Sequence, residues 1–176
     1  MVAHSQIMNF PHCIFHQSGP AMKGRSHARP VQPTRVEQGA VIDVVLTADT
    51  NPFCIVRIDG YLNVHSYKEL MAQVAEARAR GARSVVIDLS KVKKIELSGH
   101  FAMHCLAALF RDTPLPDSRL GMRALKPLVE ANLKAGLHDQ IKLVCSDRKL
   151  LVNLNRAGLD RVFPIFEDLG TAFQTV

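Results

Sequence analysis

At 176 residues the chain has enough material for one domain with a substantial core and too little for two, and 47% apolar residues place it among folded globular proteins. A formal charge of +6, from 22 basic and 16 acidic residues, admits an anionic partner, yet no cluster of Lys and Arg is dense enough to announce nucleic acid. No apolar run nears the roughly 20 residues that a spanning helix requires, so direct membrane insertion is not expected and the chain reads as soluble.

From Met1 to Val36 there is no acidic residue, while Lys23, Arg25, Arg29 and Arg35 stand among histidines and prolines without strand or helix period. Residues 1–39 therefore read as a flexible leader and residues 40–176 as the folded domain. The leader lacks the basic and apolar blocks of a secretory signal and has only a slight likeness to an organelle transit peptide. Met22 is an alternative start.

The run Ala40-Val-Ile-Asp-Val-Val-Leu-Thr47 is rich in β-branched residues and ends in the turn formers Asp49, Thr50, Asn51 and Pro52. Phe53-Cys-Ile-Val-Arg-Ile-Asp59 follows and stops at Gly60, which predicts an opening β-hairpin. Residues 66–80 switch to helical spacing with Leu70, Met71, Val74 and Ala75 on one face. Ser66 and Glu69 are spaced as a capping box, and Gly81 stands where a C-cap belongs.

Residues 84–89 are apolar at nearly every position, as in a strand covered on both faces. Glu96-Leu-Ser-Gly99 then makes a strand-to-helix corner, at which Ser98 is placed to cap unpaired helix N–H groups. Phe101, Ala102, Cys105, Leu106 and Leu109 carry the helix to a stop near residues 111–114. Between residues 112 and 140, Leu120, Leu125, Leu128, Val129 and Leu133 suggest one or two extra helices, with Pro127 starting or kinking the second. A strand at 141–145, a helix carrying Leu150, Leu151 and Leu154, a short strand at 162–166 and a closing helix at 169–173 complete the pattern. Strands alternating with helices after a hairpin imply an α/β fold with a mixed sheet.

Four segments resemble the STAS domain family of anti-sigma factor antagonists and related regulators. They are Ile55-Val-Arg-Ile-Asp-Gly-Tyr-Leu-Asn63, Ser84-Val-Val-Ile-Asp-Leu-Ser-Lys-Val92, Glu96-Leu-Ser-Gly99 and Ala157-Gly-Leu-Asp-Arg-Val-Phe-Pro-Ile-Phe166. The resemblance implies a small mixed β-sheet with helices packed on it, an opening hairpin and here an extra helical insertion at about 112–140, before the penultimate strand. It implies a cytoplasmic signalling module rather than an enzyme. In the sigma-regulating branch such a module binds a serine-kinase-type anti-sigma factor, and phosphorylation of a corner hydroxyl blocks the contact.

In that family the corner is acidic residue, hydroxyl residue, hydroxyl residue, glycine, and the first hydroxyl takes the phosphate. Here Glu96 and Gly99 match, but the phosphoacceptor place holds Leu97, which has no oxygen to modify. Ser98 fills the second hydroxyl place and is the alternative phosphorylation site. By resemblance the partner surface comprises Asn63, Val64 and His65 with Glu96, Leu97, Ser98, Gly99 and His100. Leu97 either stands exposed at its centre or turns inward to pack. The alternative role is a STAS subunit of a sensory scaffold or a membrane lipid-transport complex, and a homodimer stays open.

Other chemistries find little support. His100 and His104 have the i, i+4 spacing of a zinc pair, but they are expected on the solvent side of the helix with no third ligand, and no HExxH pattern surrounds them. Ser98 lies in no GxSxG elbow and no phosphate-binding loop is present, so neither catalytic residue, metal nor cofactor is assigned. Cys13, Cys54, Cys105 and Cys145 lack CxxC spacing and read as buried thiols of a reducing compartment. Lys91, Lys93 and Lys94 read as solvated loop residues before the corner.

Overall fold

A computed structural model describes residues 39–47 and 52–175, so all of the expected leader but Gly39, and Cys13 with it, lies outside the described residues. Strands β1 (Val41–Leu46), β2 (Phe53–Leu62), β3 (Ser84–Ile95), β4 (Ile141–Val144) and β5 (Ile165–Phe166) form one sheet in sequential order. The β1–β2 pair is antiparallel, closed at its turn by Thr47, whose N–H donates to Phe53 O at 2.9 Å. The remaining pairs are parallel, which makes the sheet mixed.

Parallel neighbours need crossovers, and helices supply them. Helix α1 (Tyr67–Ala79) joins β2 to β3, α2 (Leu97–Phe110) and α3 (Leu125–Ala135) lie between β3 and β4, and α4 (Arg148–Arg156) leads to β5. Residues alternate across the sheet accordingly. Cys54, Val56 and Ile58 of β2, Val85, Ile87 and Leu89 of β3 and Ile141 and Leu143 of β4 join the main core with Leu70, Val74, Leu106 and Leu154 of the helices. On the other face, Val86 and Val144 pack against α5 (Leu169–Phe173). The buried Cys54, Cys105 and Cys145 are free thiols, and burial pushes the first two up to about 11 and about 12. Among the described residues no helix is long and apolar enough to cross a membrane.

Four local expectations are corrected. β2 does not stop at Gly60 but continues to Leu62, and β3 continues past Leu89 to Ile95. Between Arg57↔Asp88 and Asp59↔Lys91, and again between Gly60↔Val92 and Tyr61↔Lys94, β3 takes one residue more than β2. These bulges break the period of two, so Val92 and Ile95 both turn inward, and Lys91, Lys93 and Lys94 belong to the strand rather than to a loop. Gly60 permits the irregularity, with φ of 113°. The capping box of α1 does not form, because the Ser66 hydroxyl donates instead to Tyr61 O at 2.9 Å.

The segment before β4 is helical as expected. A 3-10 segment, Ser118–Ala124, breaks at Gly121, and α3 carries Pro127 in its first turn, where a missing N–H costs nothing, so Pro127 starts the helix. Arg111 anchors α3 to α2: Nη1 donates to Asn132 Oδ1 at 3.0 Å and Nη2 to Gly136 O. The last expected strand contracts to Ile165–Phe166, since Val162 and Phe163 are buried under the 3-10 turn Leu159–Arg161.

Candidate functional site: the β3–α2 corner and its groove

The corner is assembled where the ends of β2 and β3 meet. Glu96 N donates to Leu62 O at 2.9 Å, tying the two strand ends together. Gly99 packs the first turn of α2 onto this junction, since a Cβ there would sit 2.7 Å from Leu62 O and 2.8 Å from a methyl carbon of Ile95. After Leu62 the chain turns through residues 63–66. Asn63 Oδ1 accepts from His65 N at 3.0 Å, Asn63 N donates to Ser66 Oγ at 3.2 Å, and Asn63 O accepts from Tyr67 N at 3.0 Å. Asn63 is therefore only 3% exposed. Its expected place on the contact surface is corrected: it holds the turn that presents Val64 and His65, both exposed.

Leu97 does not turn inward. As the first residue of α2 it is 58% exposed, and Val64, two residues past the end of β2, is 53% exposed. Glu96 is half-buried, is the extended N-cap residue, and pairs with Lys94 Nζ at 3.0 Å. No side chain caps α2, so the capping role expected of Ser98 is also corrected. A cap must stand before the first turn with extended backbone, and Ser98 is already the second helical residue, half-buried. The first N–H groups of α2 thus carry the helix's partial positive charge without a side-chain acceptor.

The two histidines of α2 do not face solvent. His100 is half-buried, with Nε2 donating to Asn153 Oδ1 of α4 at 2.7 Å. His104 is fully buried: Nε2 donates to Ala157 O at 3.3 Å, and Nδ1 accepts from Asn132 Nδ2 of α3 at 3.3 Å. These partners fix the neutral imidazole with its proton on Nε2. Burial lowers His104 to about 4, with the Ala157 carbonyl opposing and His100 adding to the fall. Burial also lowers His100, against the hydrogen bond to Asn153. The physical reason for the difference is that α3 and α4 cover the flank that a two-layer helix would leave wet. Nearly every residue of α2 from Ala102 to Phe110 is buried as a result.

Between the first turn of α2, α3 and α4 runs a groove of about 560 Å³. Leu97, Met122, Leu125, Val129 and Ala157 supply apolar wall, and the half-buried His100 and Asn153 also line it. Nothing in the local sequence signalled it, because it depends on pairs such as His100–Asn153, 53 residues apart. The corner contributes an exposed hydrocarbon surface, uncapped helix amides and an adjoining cleft, which suit contact with another molecule.

A family model for the STAS domain matches residues 44–141. No curated protein matches the sequence significantly. Among solved structures, an anti-sigma factor antagonist from Mycobacterium paratuberculosis is similar over 77% of this chain and 94% of its own, at 18% identity and a TM-score of 0.52. An uncharacterized protein from Shewanella loihica with a SpoIIAA-like fold is 14% identical over 80% of this chain and 98% of its own, TM-score 0.44. The anti-sigma factor antagonist SpoIIAA in its unphosphorylated form is 14% identical over 75% and 94%, TM-score 0.40. At such identities the first of these speaks to the fold alone. Since the family model covers more than half of the sequence, and the five-stranded mixed sheet with its corner helix agrees with it, the chain belongs to the STAS domain family.

Proposed function

We propose that this STAS domain is a non-enzymatic signalling module of the cytoplasm that binds a serine-kinase-type anti-sigma factor through its β3–α2 corner, in the manner of an anti-sigma factor antagonist. The observation that carries the reading is the position of Leu97, 58% exposed on the first turn of α2, with Val64 also exposed just after β2. An apolar side chain held in water at the place where relatives carry a phosphoacceptor favours a standing contact over a phosphate-controlled one. His65 and Glu96 supply polar contacts around it, while Asn63 and Gly99 shape the turn from beneath.

Affinity capture from the native host, comparing the full chain with Leu97→Asp, tests this reading. Burial of a leucine-sized anchor stabilises a complex by about 2 kcal/mol, so the variant should retain at least about tenfold less anti-sigma factor than wild type. Equal retention would place the contact elsewhere. Recovery of transporter or scaffold subunits, lost in the variant, would move the module to a larger assembly and keep the surface.

A further inference from the structure

The groove beside the corner has a chemistry of its own. Its volume of about 560 Å³ falls within the roughly 300–1,000 Å³ of small-ligand sites, and its walls are mainly hydrocarbon. Its rim is charged. Lys126 of α3 and Arg156 of α4 both line it and both are exposed, and neither has an ion-pair partner among the described residues. Glu130 is the one acid on the lining and is likewise unpaired, so cations outnumber acids two to one. The uncapped N-terminus of α2, at Leu97, adds partial positive charge at the same mouth. An apolar trough with a net positive rim complements a molecule that has an apolar body and one anionic end. A neutral apolar molecule would leave the cations unmatched, and a cationic one would be repelled.

We propose that this groove binds an amphipathic anion, a medium-chain carboxylate or phosphate monoester, with the apolar chain against Leu97, Leu125 and Val129 and the charged end between Lys126 and Arg156. The groove shares Leu97 with the docking surface proposed above, but binding is read on this chain without any protein partner, so failure here and failure of that reading are distinguishable. The same chemistry is offered by a free acid and by lipid headgroups at a membrane, and the test separates them.

The full chain is titrated calorimetrically with decanoate and decyl phosphate below their micelle concentrations, with decyltrimethylammonium as the cationic counterpart. Amide NMR shifts locate the bound molecule. The expected result is one site for either anion, shifts confined to α2, α3 and α4 around the groove, and at least about tenfold weaker binding of the cation. The double variant Lys126→Glu/Arg156→Glu should bind decanoate at least about tenfold more weakly, about 1.4 kcal/mol, with an unchanged circular dichroism spectrum. Both positions are exposed, so the fold tolerates the change. Equal binding of anion and cation, undiminished binding by the double variant, or shifts centred elsewhere would each overturn the proposal. Binding to phosphatidylglycerol vesicles without binding of monomeric decanoate would also overturn it, because a charged surface and not the groove would then be the site.

Discussion

A methyl group on residue 99 has nowhere to go. It would meet Leu62 O at 2.7 Å and the side chains of Ile95 and Leu62 at 2.8 Å, two of them stiff parts of the sheet end. Gly99→Ala should therefore cost about 1–3 kcal/mol, seen as a fall in Tm, and should shift the corner that carries Leu97. An unchanged Tm would mean that the junction is looser than these distances require. Two other residues make the molecule sensitive to acid. His104 and His138 are buried and lowered from 6.5 to about 4, His138 chiefly by burial and then by the Arg111 charge. In the unfolded chain both take a proton near pH 6.5, so between about 6.5 and 4 the unfolded state binds more protons and stability falls as pH falls. Each shift amounts to about 3 kcal/mol once the pH has passed through 4. Denaturant titrations at pH 7, 5.5 and 4.5 should show a declining midpoint, with a flatter decline in His104→Gln/His138→Phe. Equal slopes in the two proteins would refute it. Leu97 and Ser98 were legible as letters at a corner, but their exposure was not. Which residue stands before the first turn depends on how far β3 runs, and two bulges set that.

At the scale of elements, the strand and helix order followed from period alone, because the apolar runs of β3 and β4 and the stripe of α1 are local signals. The failures share a cause in contacts between distant segments. The extension of β3 depends on pairing with the end of β2. Ser66 had the right neighbour for a capping box, yet the Tyr61 carbonyl reached its hydroxyl first in the folded turn. The buried flank of α2 exists only because α3 and α4 close over it. Arg111 is the pin of that arrangement, bridging the end of α2 to Asn132 and Gly136. Arg111→Ala would leave the side-chain amide oxygen of the buried Asn132 without that donor, a loss of about 1–3 kcal/mol. Hydrogen exchange should then speed up in α3 while β3 amides keep their protection, and uniform acceleration across the sheet would show that α3 is not a separately opening unit.

For the whole molecule, the sheet serves to hold one helix start in the open. The main core fixes β2 and β3, their joined ends fix Gly99, and Gly99 sets the first turn of α2 so that Leu97 points to water. On the function proposed here, a kinase docking there would find hydrocarbon at Leu97, and phosphate transfer would not end the contact at that position. The most direct test is the lifetime of the complex with the captured kinase-type anti-sigma factor, followed by surface-based binding with and without MgATP, with Leu97→Ser alongside. Wild type should dissociate at the same rate in both conditions, while Leu97→Ser takes up phosphate and is released. Phosphate incorporation at Ser98 in wild type, with release of the kinase, would contradict the account.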